Sequence, residues 1–287
     1  MPNEINKDKI AEAIMLLGKN FNNPNIKAIE KSIDLLKKSL SGSAIPVTTH
    51  YNDVPEFRDN FITVGPQWYQ EWHGGGLRPQ ELKLIGATPH GGKTHFLVWD
   101  AAQYILADYR VLHVNGEDLL ADIKYYYSLA VGDLKLLEEN LIFADMQDKR
   151  FGILELEATY QIAIQQGFEP EIIVVDHVDL MKGEHGKADW EAVSEVMAEL
   201  KLLAKRTNTI IITATQQNFP NPDQRGMARF YRAKVGKAAE PDLIFMVDMV
   251  VDNQYTISRV KARGRRRMVE STKVLLCDWD TMQIEEA

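Results

Sequence analysis

The residues with the clearest chemistry occupy positions 87–94, which read Ala-Thr-Pro-His-Gly-Gly-Lys-Thr between an apolar stretch and a helix-forming one. In such a loop the backbone N–H groups face a polyphosphate, Lys93 reaches its β- and γ-phosphates, and the Thr94 hydroxyl binds Mg²⁺. Ala87 stands where the general pattern has glycine, which the loop tolerates if this residue keeps a negative φ. The sequence therefore predicts a P-loop that binds a nucleotide with Mg²⁺. The predicted cofactor-binding residues are Ala87, Thr88, Pro89, His90, Gly91, Gly92, Lys93 and Thr94.

Polar residues follow three further apolar segments. Asp176 closes Ile-Ile-Val-Val, where a carboxylate can bind Mg²⁺, although it could also cap a following helix. Glu117 follows Val-Leu-His-Val and can orient or deprotonate the attacking water, a role for which Asp118 is a rival. Gln216 follows Ile-Ile-Ile-Thr-Ala-Thr and either senses the γ-phosphate or faces solvent. Because ligands bind at the carboxyl ends of parallel strands, we expect these side chains to lie near the P-loop.

The elements that must position these residues alternate between strands and helices. Apolar runs without alternation, such as Ile-Ile-Val-Val, are typical of a parallel sheet covered on both faces. Strands are predicted at 82–87, 110–115, 141–144, 172–175, 210–214, 243–248, 255–260 and 273–278. Helices are predicted at 93–107, 119–131, 153–166 and 189–207. The fold class is therefore α/β, a mostly parallel sheet with helices on both faces and an antiparallel extension at its C-terminal end.

The first part of the chain is predicted to be an appendage. Residues 7–19 and 25–40 carry amphipathic helical patterns, and two such short helices cannot form a core alone. Residues 41–80 are rich in proline and glycine and are predicted to be irregular, with Trp68, Tyr69 and Trp72 packed at the domain edge. We place the boundary near residue 60, with 1–59 as a docking segment and 60–287 as the main domain.

The charge is unevenly distributed along a chain whose net charge is −8. Residues 201–273 contain fifteen Lys and Arg against six Asp and Glu. This segregation indicates a confined surface for a polyanion, with a merely solvated basic face as the alternative. The long segment 217–237 is predicted to bind nucleic acid, since loops of this length are usually functional. Its cations are Arg225, Arg229, Arg232, Lys234 and Lys237.

The last two candidate site residues are cations, Lys261 and Arg263. Lys261 and Arg263 are two apart on a predicted strand, so they point to the same side. Together they suit phosphate recognition, either of a nucleic-acid backbone or of a nucleotide held by a neighbouring subunit.

Composition excludes several classes. The single cysteine, Cys277, excludes an intrachain disulfide framework, and scattered histidines make a structural metal site unexpected. No apolar run reaches about 18 residues and the N-terminus lacks a signal-peptide core, so we expect a cytoplasmic protein with no membrane partner.

These motifs, in this order, resemble the RecA-like motor domain of DnaB-type replicative helicases over roughly residues 60–280. Residues 75–82 are similar to the family's GGLRPGEL, with Gln80 in place of a glycine, and residues 87–94 resemble ARPSMGKT, which also begins with alanine. Residues 115–118 look like S-x-E-M, and 176–181 like DYLQLM. Thr-Gln at 215–216 falls on Ser-Gln, and Lys-Ala-Arg at 261–263 on K-N-R.

The resemblance implies an ATP hydrolase that translocates on single-stranded DNA and unwinds duplex DNA as a hexameric ring. It implies Glu117 as the catalytic carboxylate, with Lys93 and Gln216 in the same subunit. Lys261 and Arg263 would act on the neighbour's nucleotide, and a primase or a loader is an expected partner. The bacterial N-terminal domain and the phage primase module have no counterpart in this sequence, and Arg265–Arg267 is not part of the family pattern.

Two other functions remain open at this stage. A RecA-type recombination protein shares the core but forms an open filament, because a heterologous interface that does not close grows without limit. A nucleotide-gated loader or adaptor would bind ATP with negligible turnover, and it would need neither Glu117 nor Arg263.

Overall fold

The computed structural model describes residues 61–88, 91–146, 151–181, 189–216, 240–251, 253–263 and 272–287. The two predicted N-terminal helices, the cationic segment 217–237 and Arg265–Arg267 lie outside these ranges. The domain boundary near residue 60 likewise remains a prediction.

The described elements alternate as expected. In chain order they are α1 Gln67–His73, β1 Leu82–Ala87, α2 Lys93–Leu106, β2 Val111–Asn115, α3 Leu120–Val131, α4 Leu134–Asn140, β3 Leu141–Asp145, α5 Ile153–Gln165, β4 Ile172–Asp176, a 3₁₀ turn Val178–Leu180, α6 Asp189–Thr207, β5 Ile210–Gln216, β6 Leu243–Val251, β7 Gln254–Ala262, β8 Thr272–Asp278 and β9 Gln283–Glu286.

The nine strands within the described ranges belong to one sheet with the order β3-β2-β4-β5-β1-β6-β7-β8-β9. Strands β3 to β6 in that order are mutually parallel, whereas β7, β8 and β9 are added as antiparallel hairpins. The predicted α/β class with a C-terminal antiparallel extension is confirmed. Within the described ranges, no helix combines the length and the apolar character needed to cross a bilayer.

The parallel strands are buried on both faces, which explains their apolar runs. Along β4, Ile172 and Val174 belong to the core beneath α2 and α3, while Ile173 and Val175 belong to the core beneath α5 and α6. All four side chains have no exposed surface. Successive residues of a strand point to opposite faces, so a strand covered on both sides needs an apolar residue at every position.

Four described elements were not predicted, namely α1, α4, the 3₁₀ turn and β9, and several boundaries differ by one to three residues. The expectation that residues 41–80 are irregular is wrong for α1. This helix starts after Pro66 and ends at Gly74, which has φ of 74°. A helix of seven residues is marginal by propensity, so it depends on burying Tyr69 and Trp72, whose side chains are fully enclosed.

A buried charged cluster fastens α1 to the sheet. The Lys83 ammonium on β1 lies 2.6 Å from Asp100 Oδ2 on α2 and donates to the Tyr69 hydroxyl at 2.5 Å, and all three side chains are fully buried. Tyr69 also donates to Asp100, and His73 Nε2 lies 3.0 Å from the same ammonium. Removing one partner of a buried pair typically costs about 3–5 kcal/mol, so these four residues lock α1, α2 and β1 together.

Candidate functional site

The P-loop connects the carboxyl end of β1 to the N-terminus of α2. A Cβ on Gly91 would lie 2.7 Å from Thr88 Oγ1 and 2.9 Å from the Thr88 carbonyl oxygen, so a side chain is excluded there. Gly92 has φ of 72°, a left-handed conformation that favours glycine, and as the N-cap of α2 it has no side chain with which to cap the helix. The first N–H groups of this helix are a suitable anion site. Pro89 and His90 lie outside the described residues.

The Lys93 ammonium lies at the centre of the polar residues. Its Nζ is 2.5 Å from Glu117 Oε2, 2.7 Å from His177 Nδ1 and 3.8 Å from Asp176 Oδ1. Glu117 follows β2 and Asp176 ends β4, and β4 pairs with β2 in parallel, so their ends meet at one edge of the sheet. The expectation that these residues lie together is met by the geometry, while their catalytic roles remain predictions.

Asp176 has the environment of a metal ligand. Both carboxylate oxygens are buried, and neither makes a hydrogen bond of ordinary length and angle with the described residues. Burial raises the pKa of Asp176. The charges of Lys93 and His177 and the hydrogen-bonding influence of the Thr94 hydroxyl lower it, but burial has the larger effect. A buried carboxylate beside a threonine hydroxyl suits Mg²⁺, which prefers oxygen ligands. Glu117, Asp176 and His177 also offer ligand atoms within 4.8 Å of one another.

Glu117 is held in its ionised form. Contact with His177 and with the Lys93 ammonium lowers the pKa of Glu117 to about 2, against burial, which raises it. The rival carboxylate, Asp118, also lines the pocket, but Lys93 lies against Glu117, Asp176 and His177. The geometry therefore favours Glu117 over Asp118 as the partner of the lysine.

Gln216 ends β5, next to β1, and its exposed side chain lines the same pocket. Its backbone N–H donates to Asp179 Oδ2 at 2.7 Å, and the Thr215 hydroxyl donates to the same oxygen at 2.8 Å. Asp179 lies in the 3₁₀ turn that follows β4. The end of β5 is thus fixed by a carboxylate that the sequence analysis did not single out.

An aromatic wall completes the pocket, which has a volume of about 440 Å³. It consists of His95, Tyr126, Tyr255 and Trp279. The His95 ring centre is 4.4 Å from that of Tyr126 and 5.1 Å from that of Trp279. Trp279 Nε1 donates to the Tyr255 hydroxyl at 2.8 Å, and both rings lie over Gly92. Flat apolar rings beside a phosphate loop are suited to a nucleobase.

Sequence reasoning missed the aromatic wall and His177. Trp279 directly follows β8 and Tyr255 lies at the start of β7, so the strand order brings both to the P-loop edge of the sheet. Local sequence patterns do not reveal that order, and without it both residues look like ordinary core aromatics. His177 lies within the recognised segment 176–181, but no rule of spacing marks it.

Two solved structures share this architecture. One is described as an ATPase domain, and it is 15% identical over 89% of this chain and 97% of that chain, with a TM-score of 0.62. The other is a DnaB-like replicative helicase, solved for its interactions with primase, which is 17% identical over 94% of this chain and 74% of that chain, with a TM-score of 0.62. The chain has the fold of a DnaB-type helicase ATPase domain. No family model matches the sequence, and no curated protein matches it.

In this DnaB-type fold, Lys261 and Arg263 lie at the opposite edge of the sheet from the P-loop. Ala262 pairs with Leu243, which pairs with Lys83 near the start of β1. The P-loop begins four residues farther along β1, roughly 13 Å away at about 3.3 Å per residue. The Arg263 guanidinium donates to the Glu240 carbonyl at 3.3 Å. The structure therefore does not bring these two cations to their own nucleotide pocket.

The local backbone accommodates Gln80 at the position where the resembled motif has glycine. This residue has φ of 73°, a left-handed conformation. Its side-chain amide donates to Asn208 Oδ1 at 2.9 Å, and its carbonyl accepts from Lys201 at 2.7 Å. These contacts offset the strain that glycine would avoid.

Proposed function

We propose that this chain hydrolyses ATP with Mg²⁺ and uses the energy to translocate on single-stranded DNA, as one subunit of a ring-shaped replicative helicase. The observation that carries the proposal is the convergence of Lys93, Glu117 and Asp176 around one P-loop in a helicase-type sheet. Gln216 lines the same pocket from the neighbouring strand.

The nucleotide pocket must rearrange when ATP enters. Lys93 is paired with Glu117 at 2.5 Å, and a triphosphate in the loop would compete for the same ammonium. Once Lys93 turns to the phosphates, Glu117 loses a cation that lowers its pKa. The carboxylate then becomes a stronger acceptor for a proton from the attacking water. Nucleotide entry thus creates the base that the reaction needs.

Thr94 and Asp176 would hold Mg²⁺. The ion supplies charge neutralisation on the phosphate oxygens. Asp176 suits this role because its oxygens are buried and make no hydrogen bond of ordinary length and angle with the described residues. Gln216, whose amide lines the pocket, would contact the γ-phosphate and report its loss.

Assembly completes the site. Lys261 and Arg263 lie far from their own P-loop, so they would serve the nucleotide of a neighbouring copy. A head-to-tail interface of this kind closes into a ring, proposed to be a hexamer, or extends as a filament of the recombination type. A primase or a loader is a proposed further partner.

The DNA path is proposed to include Arg225, Arg229 and Arg232, which lie outside the described residues, on the strength of their charge and their place after Gln216. Replacing the three by alanine should reduce the log–log salt slope of single-stranded DNA binding by about two units, at about 0.7 per phosphate contact. An unchanged slope would place the DNA elsewhere, with Arg265–Arg267 as the next candidates.

The decisive experiment measures ATP hydrolysis with and without single-stranded DNA, together with displacement of a labelled strand from a forked duplex. The helicase proposal expects stimulation by DNA and strand displacement, both abolished in Lys93→Ala. Electron microscopy with a non-hydrolysable analogue then separates closed rings from filaments. ATP binding without turnover would instead indicate a nucleotide-gated loader.

A further inference from the structure

Asp179, in the 3₁₀ turn that follows β4, is hydrogen-bonded to the end of β5. Its Oδ2 accepts hydrogen bonds from the Thr215 hydroxyl and from the N–H of Gln216, at 2.8 and 2.7 Å. Hydrogen bonds to an ionised acceptor are the stronger kind. These bonds fix the backbone at Gln216, so the point from which its side chain enters the pocket depends on where this carboxylate lies.

The His177 ring lies between Asp179 and Glu117. Its Nδ1 is 3.0 Å from Glu117 Oε2, and its Nε2 is 3.8 Å from Asp179 Oδ2. Only 4% of the His177 side chain is exposed, so the ring has little freedom to turn away from either carboxylate. Nδ1 faces both Glu117 and the Lys93 ammonium, which is 2.7 Å away, and Nε2 faces Asp179. Asp179, His177 and Glu117 thus follow one another across the end of β4.

Two residues of this row, His177 and Asp179, are departures from the resembled motif. Where DYLQLM has Tyr and Gln, this chain has His177 and Asp179. A tyrosine has no second polar atom to face another carboxylate, and a glutamine would replace a charged acceptor by a neutral one. The row is therefore a feature of this chain's own residues.

We propose that Asp179 and His177 are positioning residues that couple Gln216, the residue that would contact the γ-phosphate, to Glu117, the residue that would activate water. This inference rests on the proposed ATP hydrolysis. A shift of Gln216 moves the Asp179 carboxylate, which changes the surroundings of the His177 ring and so the placement of Glu117. Water activation is in this way tied to the presence of a γ-phosphate.

The test is a double-mutant cycle on ATP turnover. Asp179→Asn should lower kcat about tenfold, the effect of weakening one charged hydrogen bond, and should change KM for ATP less than about twofold. If Asp179 acts through Gln216, the Asp179→Asn Gln216→Ala protein should turn over no more slowly than Gln216→Ala alone. His177→Phe should lower kcat in the same way, because the ring shape is retained and both nitrogens are lost.

The matched control changes another carboxylate that accepts a hydrogen bond from a backbone N–H. Asp133 caps α4 by accepting from the Lys135 N–H at 2.9 Å, on the exposed surface away from the pocket. Asp133→Asn should leave kcat unchanged.

Thr215→Val is a second test of the coupling that does not depend on whether the Asp179 variant folds. It keeps the shape of the side chain and removes one hydrogen bond to Asp179 Oδ2. It should lower kcat a few fold with KM retained.

The outcomes separate the two proposals. A wild-type protein that binds ATP without turnover overturns the proposed hydrolysis and the coupling with it. An active wild-type protein in which the effects of Asp179→Asn and Gln216→Ala multiply overturns the coupling alone. A loss confined to KM would also overturn it, because Asp179 would then act on nucleotide binding.

Discussion

Lys93 Nζ lies 2.5 Å from Glu117 Oε2. The cation that is proposed to bind phosphate therefore forms an ion pair with the carboxylate that is proposed to activate water. Replacing Glu117 by Gln keeps the shape and removes the charge that competes for Lys93. We expect Glu117→Gln to bind ATP at least as tightly as the wild type and to lose at least about 10²-fold in kcat, the usual contribution of a general base. Nucleotide affinity and single-turnover hydrolysis measure the two effects separately. Asp118→Asn is the control, and finding the catalytic loss there instead would reassign the base.

Trp279 lies over Gly92, with Cζ2 only 3.2 Å from the position of a Cβ on that glycine. Nucleotide entry should therefore change the environment of this indole. We expect ATP to alter the intrinsic tryptophan fluorescence, and Trp279→Phe to abolish most of that change. Trp68→Phe, on α1 beside Trp99, should retain the signal. A full response from the Trp279 variant would mean that the base does not approach the aromatic wall.

Arg263 should act on a neighbouring copy. Arg263→Ala is expected to bind ATP normally and to lose about 10³–10⁵-fold in turnover, as arginine fingers do. Mixing it with Lys93→Ala should restore part of the activity, because some interfaces then pair an intact P-loop with an intact arginine. The control mixes Arg263→Ala with the protein carrying both changes, which should restore none. Wild-type turnover by Arg263→Ala would assign this strand to DNA binding instead.

Lys261 gives the proposed interface a pH dependence. Burial, reinforced by the charge of Arg263, lowers the pKa of Lys261 to about 8. The lysine is charged below that pH and neutral above it, so only about a tenth remains charged one unit higher. The turnover of the wild type relative to Lys261→Arg should fall as the pH rises from 7 to 9, since arginine stays charged. A constant ratio would show that the charge of Lys261 is not used.

Gln80 tests the backbone strain directly. With φ of 73°, this position favours glycine, and a residue with a Cβ costs about 1–2 kcal/mol there. Gln80→Ala loses the side-chain contact with Asn208 and keeps the strain, so it should lower the melting temperature. Gln80→Gly relieves the strain and should be more stable than Gln80→Ala by about 1 kcal/mol in urea unfolding. Equal stabilities would contradict the strained conformation.

The sequence allowed the parallel core to be predicted because double-sided burial demands apolar residues at every position, as in Ile172–Val175. The placement of the P-loop, Glu117, Asp176 and Gln216 at one edge of the sheet was predictable because each follows such a run, while their roles remain predictions. By contrast, α1 depends on tertiary burial of Tyr69 and Trp72, which no local pattern reveals. Trp279 and Tyr255 reach the pocket only through the strand order. Asp179 is identified only by its hydrogen bonds to Thr215 and Gln216, which are far from it in the chain.

The buried Lys83 ammonium sets a lower limit on the length of chain that can fold. Any fragment that begins after α1 retains Lys83 and Asp100 but lacks Tyr69 and His73, two of the groups that surround the ammonium. Such a fragment would keep the whole P-loop but would uncover the Lys83–Asp100 ion pair and the apolar ring of Phe245, on which Tyr69 and Trp72 pack. The smallest fragment expected to fold around the P-loop therefore starts before Gln67, upstream of the first residue that any nucleotide-binding motif would suggest.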